Sequence, residues 1–421
     1  VITVNVRVVP SEISGEVRAP PSKSYTHRAL FLSLLAEGES RLVNPLISND
    51  TEASMGAIRE FGADASWERI IGVGDPVQPK DVIWCGNSGT TARISMAIAA
   101  LVDGTTVIDG SASLRRRPMS PMIEALSQMG IEVEFSEGGR LPILVRGGRD
   151  KIKSRTLKVR GDVSSQFITA LLIVAPKVGL EIEIISEPKS RPYLDITIKS
   201  MRRFGLSVHR EDYRRFSVER QNPIPTTFKI PGDYSSAAFI LAAGALHGKV
   251  RVRGLDPRDV QGDRMILDVL RQMGADVKIH GEVIEVSRGD LEGIYVNCSD
   301  APDLVPVISV LGAYARGTTI ISGADHLRYK ESDRLRAIAD NLKRMGVNVK
   351  EREDGLVIKG HRELRGAVLD SYGDHRIAMA LVIAALGARG ESKILGVDCV
   401  QDSYPAFFND LMRIGGRVEF Q

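Results

Sequence analysis

One pattern is written six times along the 421 residues, and it leaves few folds open. A loop carrying Gly, Asp, Ser or Pro leads into a helix of small and branched apolar residues, then a turn with Gly or Lys, then a β-branched strand. It occupies 20–46, 86–109, 161–185, 232–255, 301–323 and 373–397. The Ala/Leu/Ile/Val content of these helices calls for burial on nearly every side. A second, amphipathic helix follows each time, at 52–61, 121–129, 195–204, 264–273, 332–345 and 407–414. Each of those ends at a glycine, namely Gly62, Gly130, Gly205, Gly274, Gly346 and Gly415, the residue type that lets a helix end in a left-handed turn.

A repeat of roughly seventy residues is too long and too mixed for a thin solenoid. The fold class expected is α/β, with two pseudo-threefold domains of three βαβαββ units each. Buried helices lie inside and sheets outside, an inside-out α/β barrel. The linker is placed near Pro223, so the domains are 14–224 and 1–13 with 225–421. The opening strand 2–9 is expected to pair with the last repeat, which makes the chain cross between domains twice.

Composition narrows the function. Lys+Arg total 56 against 53 for Asp+Glu, a net charge of +3, too weak to argue for a polyanion. With aromatics at 5% and basic residues gathered at the repeat loops, a nucleic-acid-binding array is disfavoured. No run of 18 apolar residues or leader pattern appears, so a cytoplasmic protein with no membrane partner is expected. Cys85, Cys298 and Cys399 are odd in number and far apart, which fits buried reduced thiols rather than disulfides or zinc. No metal or cofactor is expected. Asp374-His375 lacks further spaced ligands, and His375 reads as a structural hydrogen-bonder. Neither nucleotide-binding glycine signature is present, nor a nucleophile elbow.

The loops that open the buried helices hold the reactive side chains: Ser22, Lys23, Ser24 and Arg28; Asn87, Gly89, Thr90 and Arg93; Ser164, Ser165 and Gln166; Asp233, Ser235 and Ser236; Asp303; and Asp374, His375 and Arg376. If the buried helices run side by side, their N-termini share an end and add free N–H groups and partial positive charge there. Lys23, Arg28, Arg93, Arg117, Lys330, Arg334 and Arg376 add formal charge, giving a cationic cleft between the domains for small phosphorylated and carboxylated ligands. The serines also suit plain N-caps, and Arg115-Arg116-Arg117 suits a solvated run. The KESDR stretch at 330–334 reads as the charged mouth of a helix running to Met345. Cations are misplaced at such a mouth unless something anionic faces them.

Along its whole length the chain resembles the 5-enolpyruvylshikimate-3-phosphate synthase family. The stretches that carry the likeness are PSKSYTHRA, GNSGTTAR, LRRRPM, GDVSSQFITALL, SRPYLDIT, GDYSSAA, PDLVP, KESDR and GDHRIAMA, in the family's order and spacing. The resemblance implies transfer of the enolpyruvyl group of phosphoenolpyruvate to the 5-hydroxyl of shikimate 3-phosphate by addition and elimination through a tetrahedral intermediate. It implies shikimate 3-phosphate contacts from Lys23, Ser24, Arg28, Ser164, Ser165, Gln166, Ser190, Asp303 and Lys330. Phosphoenolpyruvate contacts fall to Lys23, Gly89, Arg117, Gln166, Arg334 and Arg376. Asp303 is implied as the base for the 5-hydroxyl, with Lys23 and Glu331 sharing the proton transfers. A monomer acting on two small molecules, without cofactor, is expected, and glyphosate should compete with phosphoenolpyruvate.

The sequence departs from the family at two points. Asp402 stands where some members place a lysine, and His326 where others place an asparagine, so neither is assigned a ligand. The sister transferase acting on UDP-N-acetylglucosamine is disfavoured because 110–119 has no cysteine.

Overall fold

In the computed structural model, which describes residues 3–421, the chain divides into two compact units. Pro21–Ile230 forms the N-terminal unit. The described residues up to Pro20, with Pro231–Gln421, form the C-terminal unit. Each unit holds three repeats. Their inner helices are Lys23–Leu35, Gly89–Ala99 and Gln166–Val178 in the first, and Tyr234–His247, Val305–Tyr314 and His375–Ala385 in the second. Within a unit each inner helix touches the other two, which closes the pseudo-threefold core. The all-round apolar composition explains this: in Lys23–Leu35, Tyr25 and every residue after it are buried, polar ones included.

The outer helices bury one stripe. In Ile266–Met273, Ile266, Leu267, Val269, Leu270 and Met273 face inward while Asp268 and Arg271 stay exposed. All six glycines expected after the outer helices have φ between +75° and +112°, a backbone that a side chain would strain.

Among the described residues, six four-stranded sheets cover the helices. The strand after each inner helix pairs in parallel with one edge strand and antiparallel with another, which in the first five repeats is the second strand of the hairpin that follows. In repeat two, Gly104–Asp109 lies between Ile83–Trp84 and Arg140–Gly147, with Glu132–Ser136 outermost. In repeats two, three, five and six the parallel partner precedes the inner helix, which is the βαβ crossover. At Gly72 and Gly147 the returning strand meets carbonyls at the end of an inner helix. A Cβ would come within 1.9 Å of Ser33 O or Ala99 O, so only glycine fits.

The divisions between the units lie six to seven residues further along the chain than the boundaries expected from sequence. Ile13–Arg18 precedes the first inner helix, yet pairs in parallel with Gly248–Arg253 of repeat four. Thr227–Lys229 precedes the fourth inner helix, yet pairs with Gly38–Val43 of repeat one. Each linking strand stays bonded to the unit the chain is leaving, so the divisions fall at Pro20/Pro21 and Ile230/Pro231, not at 13/14 and 224/225. Val6–Val9 pairs with both Ser392–Leu395 and Arg417–Phe420, completing the sixth sheet with the start of the chain. Val1 and Ile2 of the expected strand 2–9 lie outside the described residues.

Candidate active site

In the N-terminal unit the starts of the inner helices converge. Ser22 and Ser88 cap two of them, accepting from Tyr25 N and Thr91 N, and Ser164 Oγ accepts from Gln166 N at the third. These hydroxyls act as caps through their oxygens and keep their protons for another acceptor. Around Gly89 three side chains meet. A Cβ there would lie 3.3 Å from guanidinium nitrogens of Arg93 and Arg117 and 3.4 Å from Gln166 Oε1. Arg93 donates to Gln166 Oε1 and to Pro118 O, and covers the Phe167 ring at 4.6 Å. Arg117 donates to Asn87 Oδ1 at 2.6 Å. Thus Arg117 is held by Asn87 rather than lying in a solvated run, and it is buried.

Lys23 and Arg28 stand five residues apart on the first inner helix. Lys23 Nζ is 2.8 Å from Asp50 Oδ2, at the start of outer helix Asn49–Glu60. Arg28 donates to Thr197 Oγ1, Ser24 O, Thr169 Oγ1 and Tyr193 O. Burial lowers its guanidinium to about 10, so it stays charged at neutral pH. His27 beside it is buried, and burial followed by the charges of Lys23 and Arg28 holds it well below the usual range, hence neutral. Its Nδ1 meets Ser54 Oγ at 2.8 Å, and Ser54 bonds Thr91, tying three helices together behind Lys23. Ser165, at the start of the third inner helix, is buried, as is Ser190, which precedes the outer helix Pro192–Arg203 and has φ +55°.

In the C-terminal unit the charges are mixed. Arg334 is 1% exposed and donates to Asp374 at 2.8 Å, Asp303 at 2.8 Å and Glu331 at 2.7 Å. Burial opposes its charge, but Asp374, Glu331 and Asp303 outweigh burial and raise its pKa. Arg376, at the start of the sixth inner helix, lies 3.4 Å from Asp303. Asp374 caps that helix by accepting from Arg376 N, and also accepts from Ser332 Oγ.

Of the KESDR stretch only Arg334 is helical. Asp325–Tyr329 is a short 3-10 turn and Asp333 caps a helix that begins at Arg334, so Lys330 and Glu331 precede it. The anion expected in front of Arg334 is supplied by three carboxylates of the protein. The cationic character expected of the whole site is therefore strongest in the N-terminal unit, while the C-terminal unit pairs its cations with acids.

Some positions were not singled out from sequence. Asp50, Thr169 and Thr197 orient Lys23 and Arg28, and Asp263 is buried at the start of the fourth outer helix. The signal for the two acids was the repeat itself: Asp50, Arg117, Asp263 and Arg334 all stand 11–13 residues before a helix-ending glycine. His326 and Asp402 are buried in 3-10 turns, Asp325–Tyr329 and Val397–Asp402. The three cysteines are free and buried.

The sequence of residues 8–411 matches the model of the EPSP synthase (3-phosphoshikimate 1-carboxyvinyltransferase) family. The chain belongs to the EPSP synthase family. Its relatives include a 3-phosphoshikimate 1-carboxyvinyltransferase of Thermococcus kodakarensis, 47% identical over 96% of this chain and 98% of the other. One of Aeropyrum pernix is also 47% identical, over 98% and 96%. Among solved structures, the EPSP synthase of Acinetobacter baumannii superposes with a TM-score of 0.82 at 28% identity, covering 99% of this chain and 100% of that one. The activity of an EPSP synthase is transfer of the enolpyruvyl group of phosphoenolpyruvate to shikimate 3-phosphate with release of phosphate, in the shikimate pathway to aromatic amino acids. Among the described residues no helix is long and apolar enough to cross a membrane, and no acid, His or Cys cluster could hold a metal ion.

Proposed function

We propose that both units serve one enolpyruvyl transfer from phosphoenolpyruvate to shikimate 3-phosphate, each contributing a defined set of side chains. Lys23, Ser24, Arg28, Ser164, Ser165, Gln166, Ser190, Asp303 and Lys330 hold shikimate 3-phosphate. Lys23, Gly89, Arg117, Gln166, Arg334 and Arg376 hold phosphoenolpyruvate. The observation that carries this reading is the meeting at Gly89, where the missing Cβ leaves Arg117, Arg93 and Gln166 facing one point. Two guanidinium groups around an open backbone suit an anion with paired oxygens.

Asp303 removes the proton of the 5-hydroxyl as that oxygen attacks C2 of the enolpyruvate. Glu331 and Lys23 share in protonating the C3 methylene and in its later loss, when the C–O bond to phosphate breaks. Arg334 and Arg376 both reach Asp303, so the base is oriented by cations that also attract the reagent. Positioned proton transfer contributes roughly 10²–10⁴-fold, and holding two anions together with their developing charge offset supplies much of the rest. A cytoplasmic location fits the three free thiols, and the monomeric state is checked by light scattering.

The test is Asp303→Ala. Turnover falls by about 10²-fold or more, while shikimate 3-phosphate still binds in calorimetry; near-normal turnover removes Asp303 as the base.

A further inference from the structure

Asp263 lies in the 3-10 turn Gly262–Met265 that opens the fourth outer helix, and its side chain is buried. Oδ2 accepts the hydroxyl of Ser235, from the start of the fourth inner helix. Oδ1 is buried and has no hydrogen-bond partner among the described residues. The charged groups that act on this carboxyl come from three repeats: Asp233 from its own, Asp303 from the fifth, and Arg376 from the sixth. Cys298, whose thiol burial raises to about 12, also feels Asp263 and remains neutral.

The two neighbouring acids have unequal surroundings. Asp303 accepts from Arg334 at 2.8 Å and stands 3.4 Å from Arg376. Asp263 has one hydroxyl donor and a buried oxygen left over. When two acids interact in a dry site, the one with no cation bonded to it keeps the proton. We propose that Asp263 is a positioning residue for the enolpyruvyl transfer: held neutral near Asp303, it leaves the charge of Arg376 to the anionic reagent, and on ionising it competes for that charge. Burial first, and then Asp303, lift the Asp263 carboxyl to about 7, with Arg376 and Ser235 acting in the opposite sense and Asp233 reinforcing the rise. The change of state thus falls within the working range of a neutral-pH enzyme.

This inference rests on the assignment of Asp303 and Arg376 to the reaction. The test measures the KM for phosphoenolpyruvate from pH 6 to 9 in the wild-type enzyme and in Asp263→Asn, with Asp303→Ala beside them. Ionisation of the substrates affects all proteins alike, so the ratio between profiles isolates the side chain. The wild-type KM should climb relative to the variant by roughly 3–10-fold across pH 7–8, the size expected for one extra charge in a half-screened site. A constant ratio at every pH, the mark of a merely structural role, overturns the inference. Loss of turnover in Asp303→Ala together with that constant ratio defeats Asp263 alone; normal turnover in Asp303→Ala defeats the site assignment and the inference with it. Should Asp263→Asn fail to fold, the wild-type infrared spectrum decides: a protonated carboxyl band that fades between pH 6 and 8 supports the proposal, and no such band contradicts it.

Discussion

Arg334 donates to three carboxylates at once, and that changes what its removal would do. In the sequence, KESDR shows a cation at a helix start and the need for an anion before it. It does not show that Asp303 and Asp374, 31 and 40 residues away, supply one. Arg334→Ala leaves the buried Asp374 and the partly buried Asp303 and Glu331 without their partner, a change that costs about 3–5 kcal/mol. A lowered urea midpoint accompanying the lost activity is the expected result; an unchanged midpoint would show the acids to be independently solvated. Arg117 makes the cleaner probe of the reagent, because its partner Asn87 is uncharged. Loss of a charge-assisted hydrogen bond is worth about 1.5–3 kcal/mol, so Arg117→Ala should raise the phosphoenolpyruvate KM by roughly 10–100-fold. Unchanged steady-state kinetics would remove Arg117 from the site. Residues named by motif were legible in the sequence, as were the caps. The residues that aim them, such as Thr169 and Thr197 under Arg28, were not, since their role depends on which helices pack together.

The elements were legible where a local rule governs them. Six glycines after six amphipathic stretches read directly as helix ends, and each has the left-handed backbone that rule requires. Strand partnership was not legible. Ile13–Arg18 and Thr227–Lys229 have the alternation of edge strands, but nothing local says that each belongs to the sheet of the distant repeat. Another long-range constraint hides in Gly147, whose place against Ala99 O admits no Cβ. Gly147→Ala forces helix and sheet apart, and overpacking of this kind costs typically 1–3 kcal/mol, or more against rigid backbone. A Tm lowered by several degrees is expected in calorimetry, whereas a Tm equal to wild type would mean that the strand can slide at no cost.

For the whole molecule, the inner helices of a unit run in one direction and their two ends differ. Their starts gather the charged groups of the site, while in the C-terminal unit their far ends meet at His247, which packs edge-on to Tyr314 and bonds Ile383 O at 2.8 Å. Burial lowers His247 from 6.5 to about 4, with the Ile383 hydrogen bond opposing it. The unfolded chain therefore binds the proton first, so the stability owed to this neutral ring is complete above pH 6.5 and is lost as pH falls toward 4. His247→Gln should flatten that part of the acid limb in urea titrations; an identical limb would assign the loss to carboxylates. Glyphosate, which is anionic like the enolpyruvate reagent, should raise the apparent KM for phosphoenolpyruvate without lowering kcat.

The central claim is that the chain joins two anions and expels phosphate only when both are present. Phosphate release is measured with shikimate 3-phosphate and phosphoenolpyruvate together and with each omitted in turn. The account predicts steady release with the pair and none above background with either alone; release from phosphoenolpyruvate without its co-substrate, or none with both, would contradict it.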